Sequence, residues 1–121
     1  MLLVGIDLVE IERIEKSMKQ PRFLARVFGK AELAEFEAKG FKAESVAAAF
    51  ATKEAFAKAI QTGVVGFSLS EVQLLHHENG APHLALSGAA RQICDEKKLS
   101  FTVSLTHTKT TAAAVVIAFG R

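Results

Sequence analysis

At 121 residues, half of them hydrophobic, the chain suits one compact domain with a real core and is too short for two ordinary ones. Lys and Arg number 15 against 13 Asp and Glu, and the net charge of +2 is too small to argue for nucleic acid by itself. The lone Cys94 excludes an internal disulfide and suits a reducing, cytoplasmic setting, and the opening MLLVGIDLVEIERI reads as neither a signal peptide nor a membrane span.

Residues 2 to 9 (LLVGIDLV) read as a buried strand that carries Asp7 towards its C-terminal mouth. Ile11, Ile14 and Met18 then recur at helical spacing before Pro21, which suits the first turn of a second helix holding Phe23, Leu24 and Val27. These two helices carry a basic run (Arg13, Lys16, Lys19, Arg22, Arg26, Lys30) interrupted by one acid, Glu15. Such a field attracts an acidic partner or phosphate, and a solvated helical face is the plain alternative. A third helix runs from Ala31 to about Lys39 and stops at Gly40.

Ala43 to Ile60 (AESVAAAFATKEAFAKAI) predicts a long central helix whose small Ala residues admit close backbone approach, ended by GVVG at Gly63 to Gly66. Val72 and Leu74 lie in a strand, and Asn79-Gly80 predicts a two-residue turn that sets His76 opposite His83 in the next strand, His83 to Leu86. Ser87 is expected to cap a helix through Lys97, and Ser100 to His107 and Thr111 to Phe119 read as strands joined by a turn at Thr108 to Thr110. The pattern is α+β: one domain over residues 1–121, with a long central helix packed on an antiparallel sheet.

Three segments place polar groups among apolar neighbours. Asp7, between Ile6 and Leu8, is costly to ionise in a buried strand unless a cation or hydrogen-bond donors sit beside it; capping a nearby helix is the other reading. In Thr52-Lys53-Glu54-Ala55-Phe56-Ala57-Lys58, Glu54 and Lys58 are spaced for an ion pair on one helix face. In Ser104-Leu105-Thr106-His107-Thr108-Lys109, alternation sends Ser104, Thr106 and Thr108 to one side and Leu105, His107 and Lys109 to the other; the hydroxyl, imidazole and ammonium groups suit phosphate oxygens, and an edge strand facing water is the alternative. Two carboxylates, Asp7 and Glu54, in oxygen-rich surroundings match Mg²⁺, and no cysteine and histidine pattern of a structural zinc site is present. His76, His77 and His83 lack a third partner for metal and read as surface residues, and Cys94 reads as core.

Taken in order, GIDLVEIERI (Gly5 to Ile14), FATKEAFAKAI with GVVG (Phe50 to Gly66), NGAP (Asn79 to Pro82) and SLTHTKTTAAAVVI (Ser104 to Ile117) resemble the holo-acyl-carrier-protein synthases, a small branch of the 4′-phosphopantetheinyl transferases. The resemblance implies a homotrimer with coenzyme A between subunits, Asp7 and Glu54 as magnesium ligands, and a carrier-protein serine attacking the β-phosphorus of coenzyme A. It gives Lys58 to the leaving phosphate. It places Lys53, Gly63, Pro82, Ser104, His107 and Thr108 at or beside coenzyme A, and gives Arg13, with Arg22 and Arg26 of the same run, to an acidic apo-acyl carrier protein. The base for the serine proton stays open, with a metal-held water or a carboxylate acting through one favoured over His107.

The resemblance implies an Arg or Lys where this chain has Ala49, so weaker coenzyme A binding is expected, with Ala49→Arg improving it. Two rival classes explain part of the pattern. A non-enzymatic module uses the basic run but leaves Asp7 and Glu54 idle, and a magnesium-dependent phosphohydrolase attacks with water instead of a carrier serine. RNA binding fits worst, because the Phe residues sit at core spacing.

Overall fold

The computed structural model describes residues 1–121 and begins with β1 (Leu2–Glu10), whose alternation turns Gly5, Asp7 and Val9 inward and Leu2, Val4, Ile6 and Leu8 outward. β1 pairs antiparallel with β5 (Thr111–Gly120), and β5 with β4 (Leu99–His107), giving a three-stranded sheet in the order β1-β5-β4. The inner face of β5 presents Ala112, Ala114, Val116 and Ala118, all buried. These small side chains let the long helix α4 (Ala43–Ala59) lie close against the sheet.

Contact is tightest at Gly5. A Cβ there would overlap the backbone of Ala55 and Ala59, so glycine is required by space. That packing fixes β1 against the half of α4 that carries Glu54 and Lys58. Phe56 of the same helix is wholly buried, edge-on to Phe67 at 5.5 Å and tilted against Phe101 at 5.1 Å. Burial of a side chain of this kind contributes roughly 3 kcal/mol.

Helices α1 (Ile11–Ser17), α2 (Pro21–Val27) and α3 (Lys30–Ala38) follow β1. They complete the core around Ile14, Phe28 and Phe36, the last two ring-to-ring at 5.2 Å. Pro21 opens α2, and Gly40 (φ 77°) lies just beyond the end of α3, as the sequence predicts.

A short 3₁₀ turn (Leu69–Glu71) leads into the hairpin β2 (Val72–His76) and β3 (Pro82–Leu86), which packs beside β4 and is followed by α5 (Gly88–Lys97). The hairpin departs from the expected two-residue turn. His76 pairs with Pro82 and Leu75 with His83, one step out of the predicted register. The reason is Gly80, which takes a left-handed conformation (φ 90°) at the end of a three-residue loop closed by His77 N–H donating to Ala81 O at 2.9 Å. His83 therefore stacks on His77, with ring centroids 4.0 Å apart, and does not face His76.

Ser87 does not cap α5 with its side chain. The cap comes from Glu71, whose Oε2 accepts the Ala89 N–H at 3.0 Å. Likewise Gln73 Oε1 accepts the N–H groups of Ala31 and Glu32 (3.0 and 3.1 Å) and so caps α3 from the hairpin. Side-chain caps from distant segments weld the hairpin to two helices.

Candidate active site

Asp7 reaches the inner face two residues after Gly5, beside the second half of α4. Lys58 Nζ donates to Asp7 Oδ1 at 3.1 Å and to the Ile6 carbonyl at 3.0 Å. The ion pair expected between Glu54 and Lys58 is therefore absent; Lys58 turns to the strand, where it gains a carboxylate and a carbonyl together. Glu54 is left half-buried, and burial, reinforced by the charge of Asp7, pushes its carboxyl above the ordinary range. Lys58 and Arg13 only partly offset this. The repulsion between the two carboxylates is relieved by a proton on Glu54 or by a cation held between them.

Sheet register connects this pair to a second feature. Asp7 stands opposite Ala114, which stands opposite Leu105 on the same inner face, so Asp7 and Leu105 are about 10 Å apart. Leu105 and His107 line a cavity of about 120 Å³, with an apolar floor from Phe36, Ala48 and Leu74 and a polar rim from Glu35, Lys39, Glu44, Ser45 and His76. On that rim Glu35, although partly desolvated, is held below the ordinary carboxylate range by His76, which approaches it through both ring Nδ1 (2.9 Å) and backbone N–H (3.1 Å). Pro82 adjoins the rim as the strand partner of His76.

The other predicted residues are dispersed. Ser104 lies exposed on the opposite, outer face of β4. Thr108 Oγ1 accepts the N–H groups of Thr110 (3.3 Å) and Thr111 (3.1 Å), closing the turn beyond His107. Gly63 follows α4 in a left-handed conformation (φ 64°), its N–H donating to Ala57 O. It thus stands about 14 Å along the helix axis from the cavity at Ala48.

Two expectations are corrected. Lys53 is wholly buried and its ammonium is fully used: it donates to Glu32 Oε1 (2.6 Å), Val72 O (2.6 Å) and Leu69 O (3.1 Å), which leaves no donor for coenzyme A. Ala49 also lies wholly inside the core, so an arginine at that position does not simply add a phosphate ligand. The predicted partner residues occupy two places. Arg13 lies over the ring of Phe50 at 5.8 Å, close enough to Glu54 to favour its charge. Arg22 and Arg26 line an open groove with Phe23, Val64 and Phe67.

The sequence reading missed Glu32, Glu35, Glu71 and Gln73, each of which acts on a group about 18 or more residues away. Only the sequence signal of a carboxylate on an otherwise core-facing helix position marked Glu32.

A family model for the 4′-phosphopantetheinyl transferase superfamily matches residues 3–117. The chain belongs to that superfamily. This superfamily member is 45% identical to the holo-acyl-carrier-protein synthase of Treponema denticola over 119 residues, 97% of each chain. Its fold matches the crystal structure of the Neisseria meningitidis holo-acyl-carrier-protein synthase with a TM-score of 0.90 at 31% identity, covering 97% of both chains. The Helicobacter pylori synthase in complex with coenzyme A matches with a TM-score of 0.85 at 32% identity, over 97% of this chain and 100% of that one. As in these transferases, the α+β fold sets one long helix against an antiparallel sheet.

Proposed function

We propose that this chain transfers the 4′-phosphopantetheine of coenzyme A to a serine of an apo-acyl carrier protein, releasing adenosine 3′,5′-bisphosphate in a cytoplasmic step that supports fatty acid biosynthesis. The observation that carries this reading is the inner-face group of Asp7, Glu54 and Lys58, set two strands from the cavity that holds His107. Family membership supplies the reaction class.

Asp7 and Glu54 fit Mg²⁺. Mg²⁺ is usually held by one or two carboxylates, with phosphate oxygens and water in its remaining positions. When bound, the ion would offset the negative charge of the pyrophosphate and polarise it. In the transfer, the serine oxygen bonds to the β-phosphorus as the bond to the bridging oxygen breaks, the serine proton passing to a water or carboxylate at the site and adenosine 3′,5′-bisphosphate leaving with the bridging oxygen. Lys58 holds two acceptors and keeps one N–H free for the charge that grows on the leaving phosphate. Arg13 and the Arg22–Arg26 groove offer an acidic carrier cationic and apolar contacts together.

The cavity of about 120 Å³ is smaller than the 300–1,000 Å³ typical of small-molecule sites, which supports completion of the coenzyme A site by a second subunit. The outer face of β1 offers the surface: Leu2, Val4, Ile6 and Leu8 are 74%, 64%, 62% and 67% exposed, an apolar strip continued on β5 by Val115 and Ile117. Asp7 points to the opposite face of the same strand, so a homotrimer closed through this strip places a neighbouring chain behind β1, from where only residues beyond its ends reach the carboxylate side. Ser104 and Thr106, on the same outer face, then look towards the neighbour.

The experiment is mass spectrometry of an apo-acyl carrier protein incubated with the chain, coenzyme A and Mg²⁺, alongside Asp7→Ala and Lys58→Ala. A Mg²⁺-dependent gain of one phosphopantetheine, lost in Asp7→Ala and much reduced in Lys58→Ala, is expected. Hydrolysis of coenzyme A without a carrier would overturn the reading in favour of a phosphohydrolase.

A further inference from the structure

We propose that Lys53 and Glu32 form a positioning pair that fixes the rotation of α4 so that Glu54 faces Asp7, and that Lys53 acts on the reaction only in this way. The proposal rests on the transfer reading above.

Both side chains are completely buried, 2.6 Å apart. Glu32 Oε1 also accepts the Gly29 N–H (3.0 Å) and Oε2 the Leu74 N–H (2.9 Å), while Lys53 fills its other two donors with the carbonyls of Leu69 and Val72. Every polar hydrogen of the ammonium is used, and the same group rests over the Phe28 ring at 5.1 Å. A network this complete anchors α4 to α3 and to the start of β2 from one side chain.

Stability alone does not account for it. Desolvating two charges costs enough that an apolar pair of similar volume often holds a fold at least as well. What an ion pair with directed acceptors adds is orientation. Lys53 and Glu54 are consecutive, so they point about 100° apart around the helix. With Lys53 pinned to Glu32, Leu69 O and Val72 O, Glu54 takes the face of α4 that also carries Lys58, four residues on and bonded to Asp7 at 3.1 Å.

The test compares Glu32→Gln, Glu32→Asp and Lys53→Met in carrier modification and in calorimetric titration with coenzyme A, which needs no turnover. Glu32→Gln and Lys53→Met are expected to lower kcat alike, by roughly tenfold or more and towards the ~100-fold that an ångström-scale misplacement costs. Both should raise the Mg²⁺ concentration for half-maximal rate and leave coenzyme A affinity within about twofold of wild type. Glu32→Asp keeps the charge and withdraws the carboxylate by one methylene; it should fall between, and it carries the comparison if Glu32→Gln does not fold. Weakened coenzyme A binding in Lys53→Met with wild-type binding in the Glu32 variants would overturn the proposal, because Lys53 would then hold the nucleotide itself. Wild-type kcat and Mg²⁺ dependence in the Glu32 variants would overturn it too. If the wild-type chain modifies no carrier, the transfer reading fails by itself, and the calorimetric comparison still judges the pair.

Discussion

Lys58 spans from helix to strand to meet Asp7 at 3.1 Å, while Glu54, one turn earlier on the same helix, is left with no ion pair of its own. The arrangement stores an unfavourable charge where the proposed chemistry needs one. Burial and the neighbouring Asp7 hold the Glu54 carboxyl above its ordinary value, so the folded protein gives up that proton at a higher pH than the unfolded chain does. A raised carboxyl pKa means that folding is penalised at pH values above the unfolded value, and that the penalty vanishes below it.

Glu54→Gln should therefore be more stable than wild type at pH 7 in a chelator, and equal to it below about pH 4, where both states of the wild type are protonated. Thermal melts at the two pH values check this, and the same variant should be inactive. A melting point at pH 7 unchanged or lowered by the substitution would mean that Glu54 is better satisfied than its surroundings indicate. Stability gained as activity is lost is the usual sign of a residue held for function.

Gly5→Ala should unfold the site from behind. The added methyl overlaps the backbone of Ala55 and Ala59, neither of which can move without displacing α4. A loss of about 3 kcal/mol or more is expected, at the upper end of overpacking costs. Gly63→Ala is the control. Its left-handed φ of 64° strains any side chain, but nothing lies within 4 Å of the new atom, so about 1 kcal/mol should be lost. Chemical denaturation of the two variants orders them; equal losses would count against close packing at Gly5.

Cys94 should be unreactive in the folded chain. It is fully buried on α5, and burial, with a smaller contribution from Asp95, pushes its thiol up to about 11. At pH 8 the thiolate fraction is then roughly 0.1%, and a thiol reagent should label Cys94 only after denaturation. The raised value also sets an alkaline limit: stability is intact below the unfolded pKa near 9 and declines as pH rises towards 11. Labelling in native buffer at the rate of the denatured chain would show that α5 opens easily.

Much of this fold was legible because its signals are local. Helix α4 declares itself through alanine and helical spacing, Pro21 and Gly40 mark their helix ends, β4 alternates, and β1 and β5 stand out as apolar runs; β1 is nevertheless buried on one face only, its outer Leu2, Val4, Ile6 and Leu8 being exposed. The hairpin was missed by one register step because Asn79-Gly80 is compatible with both two- and three-residue loops, and only the left-handed Gly80 within the folded hairpin decides between them. Ser87 offered a local cap, but Glu71 from another segment supplied it. The site divides in the same way. Asp7 and Glu54 stand out as acids among apolar neighbours, whereas the burial of Lys53 depends on Glu32, 21 residues earlier, and on carbonyls that no periodicity reveals.

The clearest instance is Ala49, where the family resemblance favours a gain from arginine and the structure predicts a loss. Its side chain is completely enclosed in the core cluster that also holds Val46, Phe56 and Val116. Ala49→Arg must either bury a guanidinium without a partner or push α4 away from its neighbours, and α4 is the element that carries Glu54 and Lys58. Overpacking alone costs about 2 kcal/mol, which lowers the melting temperature of a domain near this size by roughly 8 °C. Coenzyme A affinity should not rise, because a guanidinium enclosed in the core at this position reaches no phosphate. Thermal melts and calorimetry on the same preparation check both. A variant that melts like wild type and binds coenzyme A more tightly would mean that the side chain escapes along the helix to the surface, and would restore the phosphate-binding role inferred from relatives.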